Sequence, residues 1–163
     1  MLSDRVEERW ISAFEQVFDL SKIGPEETVT ILSESQSRSL NVNLAELALL
    51  RMKVRPFHIV MPPPSQPVPI PIRSTGASNA IQKNEVVVAA LAACDVVIDL
   101  TVEGLMHSPE TTAILKDGAR ILNISNEHPE ALERLLPSEA VKEKSLLGQK
   151  LVKAAKEMTV ESA

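Results

Sequence analysis

Between Leu100 and Glu110 the sequence reads Leu-Thr-Val-Glu-Gly-Leu-Met-His-Ser-Pro-Glu. One short segment thus holds an imidazole, two carboxylates and two hydroxyls. The chemistry open to such a set is proton transfer, since an uncharged imidazole near neutral pH can take up and return a proton. His107 stands just ahead of Ser108 and Pro109, which read as the cap and first residue of a helix. The positive end of that helix would favour the uncharged ring. Glu103 could orient the imidazole, and Gly104 permits a tight backbone path. His107 is therefore the candidate acid/base, and Glu103 and Gly104 are the candidate substrate-binding residues. A plainer account fits the same residues: a surface histidine, a solvated loop carboxylate and a capping serine.

Other chemistries find less support. A serine hydrolase would need a nucleophile elbow, GxSxG, and none is present. Gly24, Gly76, Gly104, Gly118 and Gly148 lie far apart, so there is neither a GxGxxG fingerprint nor a phosphate loop. The histidines are His58, His107 and His128, without HxH or HExxH spacing. No metal site is expected from this chain's own residues. Cys94, in Ala-Ala-Cys-Asp, reads as a small buried hydrophobe without a base beside it.

Composition narrows the partners. The net charge is −5, and no block of Lys and Arg offers the phosphate contacts that nucleic acid requires. The longest apolar run, Val86 to Cys94, is about half the ~20 residues of a membrane span. The start, Met1-Leu2-Ser3-Asp4-Arg5, runs into a charged amphipathic helix rather than a signal peptide. A lone cysteine fits a reducing compartment, so a cytoplasmic location is expected.

The elements that must position the segment follow from periodicity. Asp4 can cap a helix carrying Val6, Trp10, Phe14, Val17 and Phe18 at helical spacing, ended by Gly24-Pro25. Thr28 to Leu32 reads as a buried strand, Asn41 to Lys53 as a helix and Phe57 to Met61 as a second strand. Pro62, Pro63, Pro64, Pro67, Pro69 and Pro71 forbid helix or central strand there, leaving a stiff connector or an arm for another domain or subunit. Ser78 is expected to cap a helix to about Ala93. Asp95 to Leu100 reads as a strand buried on both faces. A helix from Ser108 to Gly118, a strand Arg120–Ile124, a short helix from His128 and a last helix capped by Ser138 complete the order. Leu147, Leu151, Ala154, Ala155 and Met158 share one face of that last helix. Alternating strands and helices predict a Rossmann-like three-layer α/β domain with a mostly parallel sheet of about four strands and helices on both faces.

The chain also resembles a known family. The carriers are Phe14-Glu15-Gln16-Val17-Phe18-Asp19-Leu20-Ser21, Ala93-Cys94-Asp95-Val96-Val97-Ile98-Asp99, His107-Ser108-Pro109-Glu110, Ile114-Leu115-Lys116-Asp117-Gly118-Ala119-Arg120-Ile121-Leu122 and Pro129-Glu130-Ala131-Leu132-Glu133-Arg134-Leu135-Leu136-Pro137, in that order. Together they resemble the N-terminal domain of the 2,5-dihydroxypyridine 5,6-dioxygenases, iron-dependent ring-cleaving enzymes of nicotinate breakdown that are related in fold to aminopeptidase-T-like metallopeptidases. The resemblance implies that residues 1–158 form an N-terminal α/β domain. Residues 159–163 would then start a linker or strand into a C-terminal metal-binding domain. It implies Fe(II) held by two His and one Asp of that second domain, with none carried here and the domain inactive by itself. It implies a small aromatic substrate in the parent protein, subunit contacts in a homo-oligomer, and a proton-handling role for His107. Two rivals stand beside it: the N-terminal domain of an aminopeptidase-T-like metallopeptidase, and a stand-alone assembly domain without enzymatic activity. An exposed apolar face on the last helix is expected if a partner domain normally covers it.

Overall fold

The computed structural model describes residues 5–64, 79–155 and 159. Six helices and four strands are found among them. In chain order they are α1 (Glu8–Leu20), β1 (Val29–Glu34), α2 (Ser39–Arg51), β2 (Phe57–Met61), α3 (Glu85–Ala92), β3 (Val96–Asp99), α4 (Thr111–Lys116), β4 (Arg120–Asn123), α5 (Pro129–Arg134) and α6 (Glu139–Ala154).

The sheet order is β2-β1-β3-β4, and every pairing is parallel. Every residue of β1 and β3 is buried, the polar Thr30, Ser33, Glu34 and Asp99 included, whereas β2 and β4 at the edges are partly exposed. Alternation along the strands builds two cores. Val29, Ile31, Val96 and Ile98 meet Trp10, Phe14 and Phe18 of α1 and Leu44, Ala48 and Leu49 of α2. Leu32 and Val97 point the other way, onto Leu91 of α3 and Ile114 of α4. The expected three layers, with helices on both faces of a parallel sheet, are therefore present.

Several expected boundaries are corrected. Asp4 lies outside the described residues, and α1 begins at Glu8 with Glu7 in the cap position. That helix stops at Leu20 rather than at Gly24-Pro25. Lys22 turns left-handed there, and Ile23 N–H closes on the Phe18 carbonyl. Ser78 also lies outside the described residues, and α3 starts only at Glu85. Asn84 is its cap, its side chain accepting from Val87 N–H at 3.2 Å. Pro62 to Pro64 follow β2, while Pro67, Pro69 and Pro71 fall outside the described residues. Thr159 is described and is not in a strand.

Two expectations hold in detail. Gly118 ends α4 with φ +100°, and Ser138 caps α6 by accepting from Val141 N–H. α6 differs from every other long helix in that none of its residues is buried. Among the described residues no helix is long and apolar enough to cross a membrane.

Candidate functional site

The carboxyl ends of the strands gather polar side chains that the apolar strands carry inward. Register places Asp99 of β3 beside Leu32 of β1 and Asn123 of β4. From β1 the chain turns to β2 on one side, and β3 and β4 lie on the other. The β1/β3 junction is thus the switch point where open parallel sheets collect ligands.

Asp99 is fully buried and accepts four hydrogen bonds. Its Oδ1 takes Thr101 N–H at 3.0 Å and the Thr101 hydroxyl at 2.7 Å. Its Oδ2 takes Leu105 N–H at 2.6 Å and the Asn123 amide at 2.9 Å. Glu34, buried at the end of β1, accepts Val102 N–H on Oε1 at 2.8 Å. The loop after β3 is thus tied down at Thr101, Val102 and Leu105. A buried carboxylate is tolerable only when its oxygens are met by donors, and the loop backbone supplies them.

Gly104 lies inside this knot with φ +74°, and a Cβ there would stand 2.5 Å from the Asn123 side-chain nitrogen. Only glycine satisfies both the left-handed backbone and the close approach. Beyond it Leu105 is buried, while Met106 and His107 are exposed. Glu103 is half-buried and interacts with its surroundings.

The expected helix start at Ser108 is corrected. α4 has six residues and begins at Thr111, with Glu110 in the cap position. The Ser108 hydroxyl donates to Glu110 Oε2 at 2.7 Å instead of capping a helix. Ser108 N–H closes a turn on the Leu105 carbonyl at 2.9 Å. His107 is four residues ahead of a short helix, and a dipole effect confined to the first turn does not reach it. Glu110 itself is held below the usual carboxylate range, first by the Ser108 hydroxyl and also by Lys83 N–H.

The three histidines are separated. His58 on β2 pairs with Glu46 at 3.7 Å. His128 accepts Glu130 N–H on Nδ1 and sets its ring edge-on to Trp10, with centroids 5.0 Å apart. His107 has no hydrogen bond or ion pair to another described residue and is exposed. No three His, Cys, Asp or Glu side chains among the described residues converge as metal ligands. These residues therefore do not fit an iron site. Cys94 is buried, its thiol donating to the Ala90 carbonyl at 3.2 Å, and burial pushes the thiol pKa up. That is the chemistry of an inert core group.

Sequence reasoning singled out His107, Glu103 and Gly104 as candidates but not Asp99, Glu34 and Asn123, which anchor the loop. A signal was available, because Asp99 directly follows the apolar Val96-Val97-Ile98 and Glu34 stands two residues beyond Ile31-Leu32. A charge carried that far into a buried strand needs a partner.

Comparison with known proteins gives the fold a family. A family model described as 2,5-dihydroxypyridine 5,6-dioxygenase (NicX) matches residues 9–163. The chain belongs to that family. The 2,5-dihydroxypyridine 5,6-dioxygenase of Pseudomonas putida KT2440 is 34% identical over 151 residues, covering 91% of this chain and 42% of the relative. A solved structure of the 2,5-dihydroxypyridine dioxygenase from the same organism superposes with a TM-score of 0.78 at 33% identity, covering 93% of this chain and 44% of that one. The chain thus spans less than half the length of the relatives it matches. In this member of the 2,5-dihydroxypyridine dioxygenase family, the matched stretch contains the whole sheet and the whole knotted loop.

Proposed function

We propose that this domain is the N-terminal part of an Fe(II)-dependent dioxygenase that opens the ring of 2,5-dihydroxypyridine in nicotinate degradation. Family membership supports the reaction class. The single observation that carries the site is His107, exposed and unengaged on a loop whose neighbouring residues are anchored at the strand ends.

Iron would be held by residues of a downstream domain, because the described side chains here do not assemble a ligand set. The role of this chain is proton handling and shape. A nitrogen of the His107 imidazole accepts the proton of a substrate hydroxyl and returns it as the product forms. Glu103 forms the adjoining wall against the ring, while Gly104, expected to bind substrate, is buried under Asn123 and shapes the loop instead. The uncovered apolar face of α6 docks on the downstream domain, and further contacts join copies of the chain into an oligomer. Isolated, the domain is inactive.

The test is ring cleavage by the iron-loaded, two-domain protein. His107→Ala should lower kcat by about 10²–10⁴-fold, the usual contribution of a general acid or base, with little change in iron content. Unchanged turnover would remove His107 from the mechanism. Unaltered 2,5-dihydroxypyridine with the wild-type protein would remove the substrate assignment.

A further inference from the structure

We infer that Asp99 is the positioning residue for His107: its buried carboxylate grips the loop after β3 and so fixes where the imidazole stands. The inference rests on the proton-handling role of His107.

The geometry has three parts. First, the peptide two residues before His107 is held from both sides. Leu105 N–H donates to Asp99 Oδ2 at 2.6 Å, while the Leu105 carbonyl accepts the Thr111 hydroxyl at 2.5 Å and Ser108 N–H at 2.9 Å. The Leu105 side chain is itself fully buried in the second core. Second, the residue after His107 is anchored too, because Ser108 is buried and its hydroxyl engages Glu110 at 2.7 Å. Met106 and His107 therefore project from a rigid two-ended mount. Third, Asp99 spans elements distant in sequence. It joins β3, the loop and Asn123 of β4, and Asn123 in turn packs over Gly104.

A sheet alone does not require this arrangement. The ladder closes through backbone groups, with Leu100 N–H on the Leu32 carbonyl and Ile124 N–H on the Asp99 carbonyl. The Asp99 side chain adds nothing to that ladder. Its acceptors are spent on the loop and on the residue that shapes the loop. Burying a carboxylate is costly, and what it secures here is the placement of the exposed pair beyond it. Fixed placement of a reacting group is worth much in rate, and a displacement of about 1 Å can cost about 10²-fold.

Asp99→Asn replaces one acceptor oxygen with a donor, so a backbone N–H of the loop, that of Thr101 or of Leu105, loses its acceptor. In the iron-loaded two-domain protein, Asp99→Asn should lower kcat per folded molecule by about 10²-fold, with KM changed by less than about threefold. Amide hydrogen exchange should rise in residues 100–108 and stay unchanged in β1 and β3. The decisive comparison is made in the His107→Ala background. There Asp99→Asn should cost less than about threefold more, because it acts only through the missing imidazole. A purely structural role would lower kcat in both backgrounds alike and overturn the inference.

A second pair of variants guards against misfolding of Asp99→Asn. Asn123→Ala removes a donor to Asp99 Oδ2 and should slow turnover at least about threefold, while costing less than about threefold more in the His107→Ala background. An equal loss in both backgrounds overturns the inference. If His107→Ala is fully active, the His107 reading fails. If His107→Ala is inactive while Asp99→Asn retains wild-type kcat, the positioning claim fails alone.

Discussion

Leu147 and Leu151 stand one turn apart on α6 and are 58% and 62% exposed. Val141, Leu146 and Val152 are exposed on the same helix. Replacing both leucines with glutamine keeps helix propensity nearly level, because Leu and Gln rank together. Within the domain the change should be almost silent, inside about ±0.5 kcal/mol, as for surface substitutions generally. Against a covering domain the sum is different. Full burial of a leucine is worth about 1.5–3 kcal/mol, and roughly three-fifths of each side chain remains to be covered. The pair should then contribute about 2–4 kcal/mol, or about thirtyfold to several hundredfold in association.

Two measurements check this. Urea unfolding of the 163-residue chain, wild type against Leu147→Gln/Leu151→Gln, reads the internal effect. Sedimentation of the chain mixed with a separately produced downstream domain reads the association. A loss of ~3 kcal/mol or more in the unfolding experiment is the signature of core leucines. It would show that α6 packs within the domain and that the docking argument is wrong. Equal association of wild type and variant would refute the argument from the other side.

Two further outcomes follow from the fold. Cys94 should resist alkylation in the native chain at neutral pH and react stoichiometrically once unfolded, since burial disfavours its thiolate; equal rates would show that this corner of the α3–β3 junction is open. Glu110 has a folded pKa below its ordinary value of 4.5, so its carboxylate stabilises the native state above that value and the benefit is lost as pH falls through the depressed folded value. The wild-type advantage over Glu110→Gln in urea midpoint should therefore be present at pH 7 and fade in strongly acidic buffer; an advantage that grows on acidification would reverse the sign of the argument.

The sheet was legible because local pattern and global placement agree. Thr28 to Leu32 is rich in β-branched residues and Val96 to Ile98 is continuously apolar, and those strands are the central pair, buried on both faces. Helix starts were less legible. Serine before a helical pattern reads as a cap at both Ser78 and Ser108, but α3 is capped by Asn84 and α4 begins beyond Glu110. At Ser108 the competing interaction is visible: its hydroxyl is taken by Glu110, and its N–H closes a turn on Leu105. A serine that bonds within its own turn no longer caps a helix.

Asp99 shows why the site was only half readable. His107, Glu103 and Gly104 announce themselves by residue type, because imidazole, carboxylate and glycine have few uses in a loop. The carboxylate that mounts them looks from the sequence like the polar end of a strand. Its partners are Thr101 nearby, Leu105 across a turn and Asn123 on another strand, and only the parallel register of β3 with β4 brings the last within reach. The register is itself set by which residues of β3 and β4 face each core, a property of the whole sheet. The candidate residues are therefore local in sequence while their placement is not. A substitution at Asn123, which carries no obvious chemistry, should disturb the loop through Asp99 and Gly104 as surely as one within the loop itself.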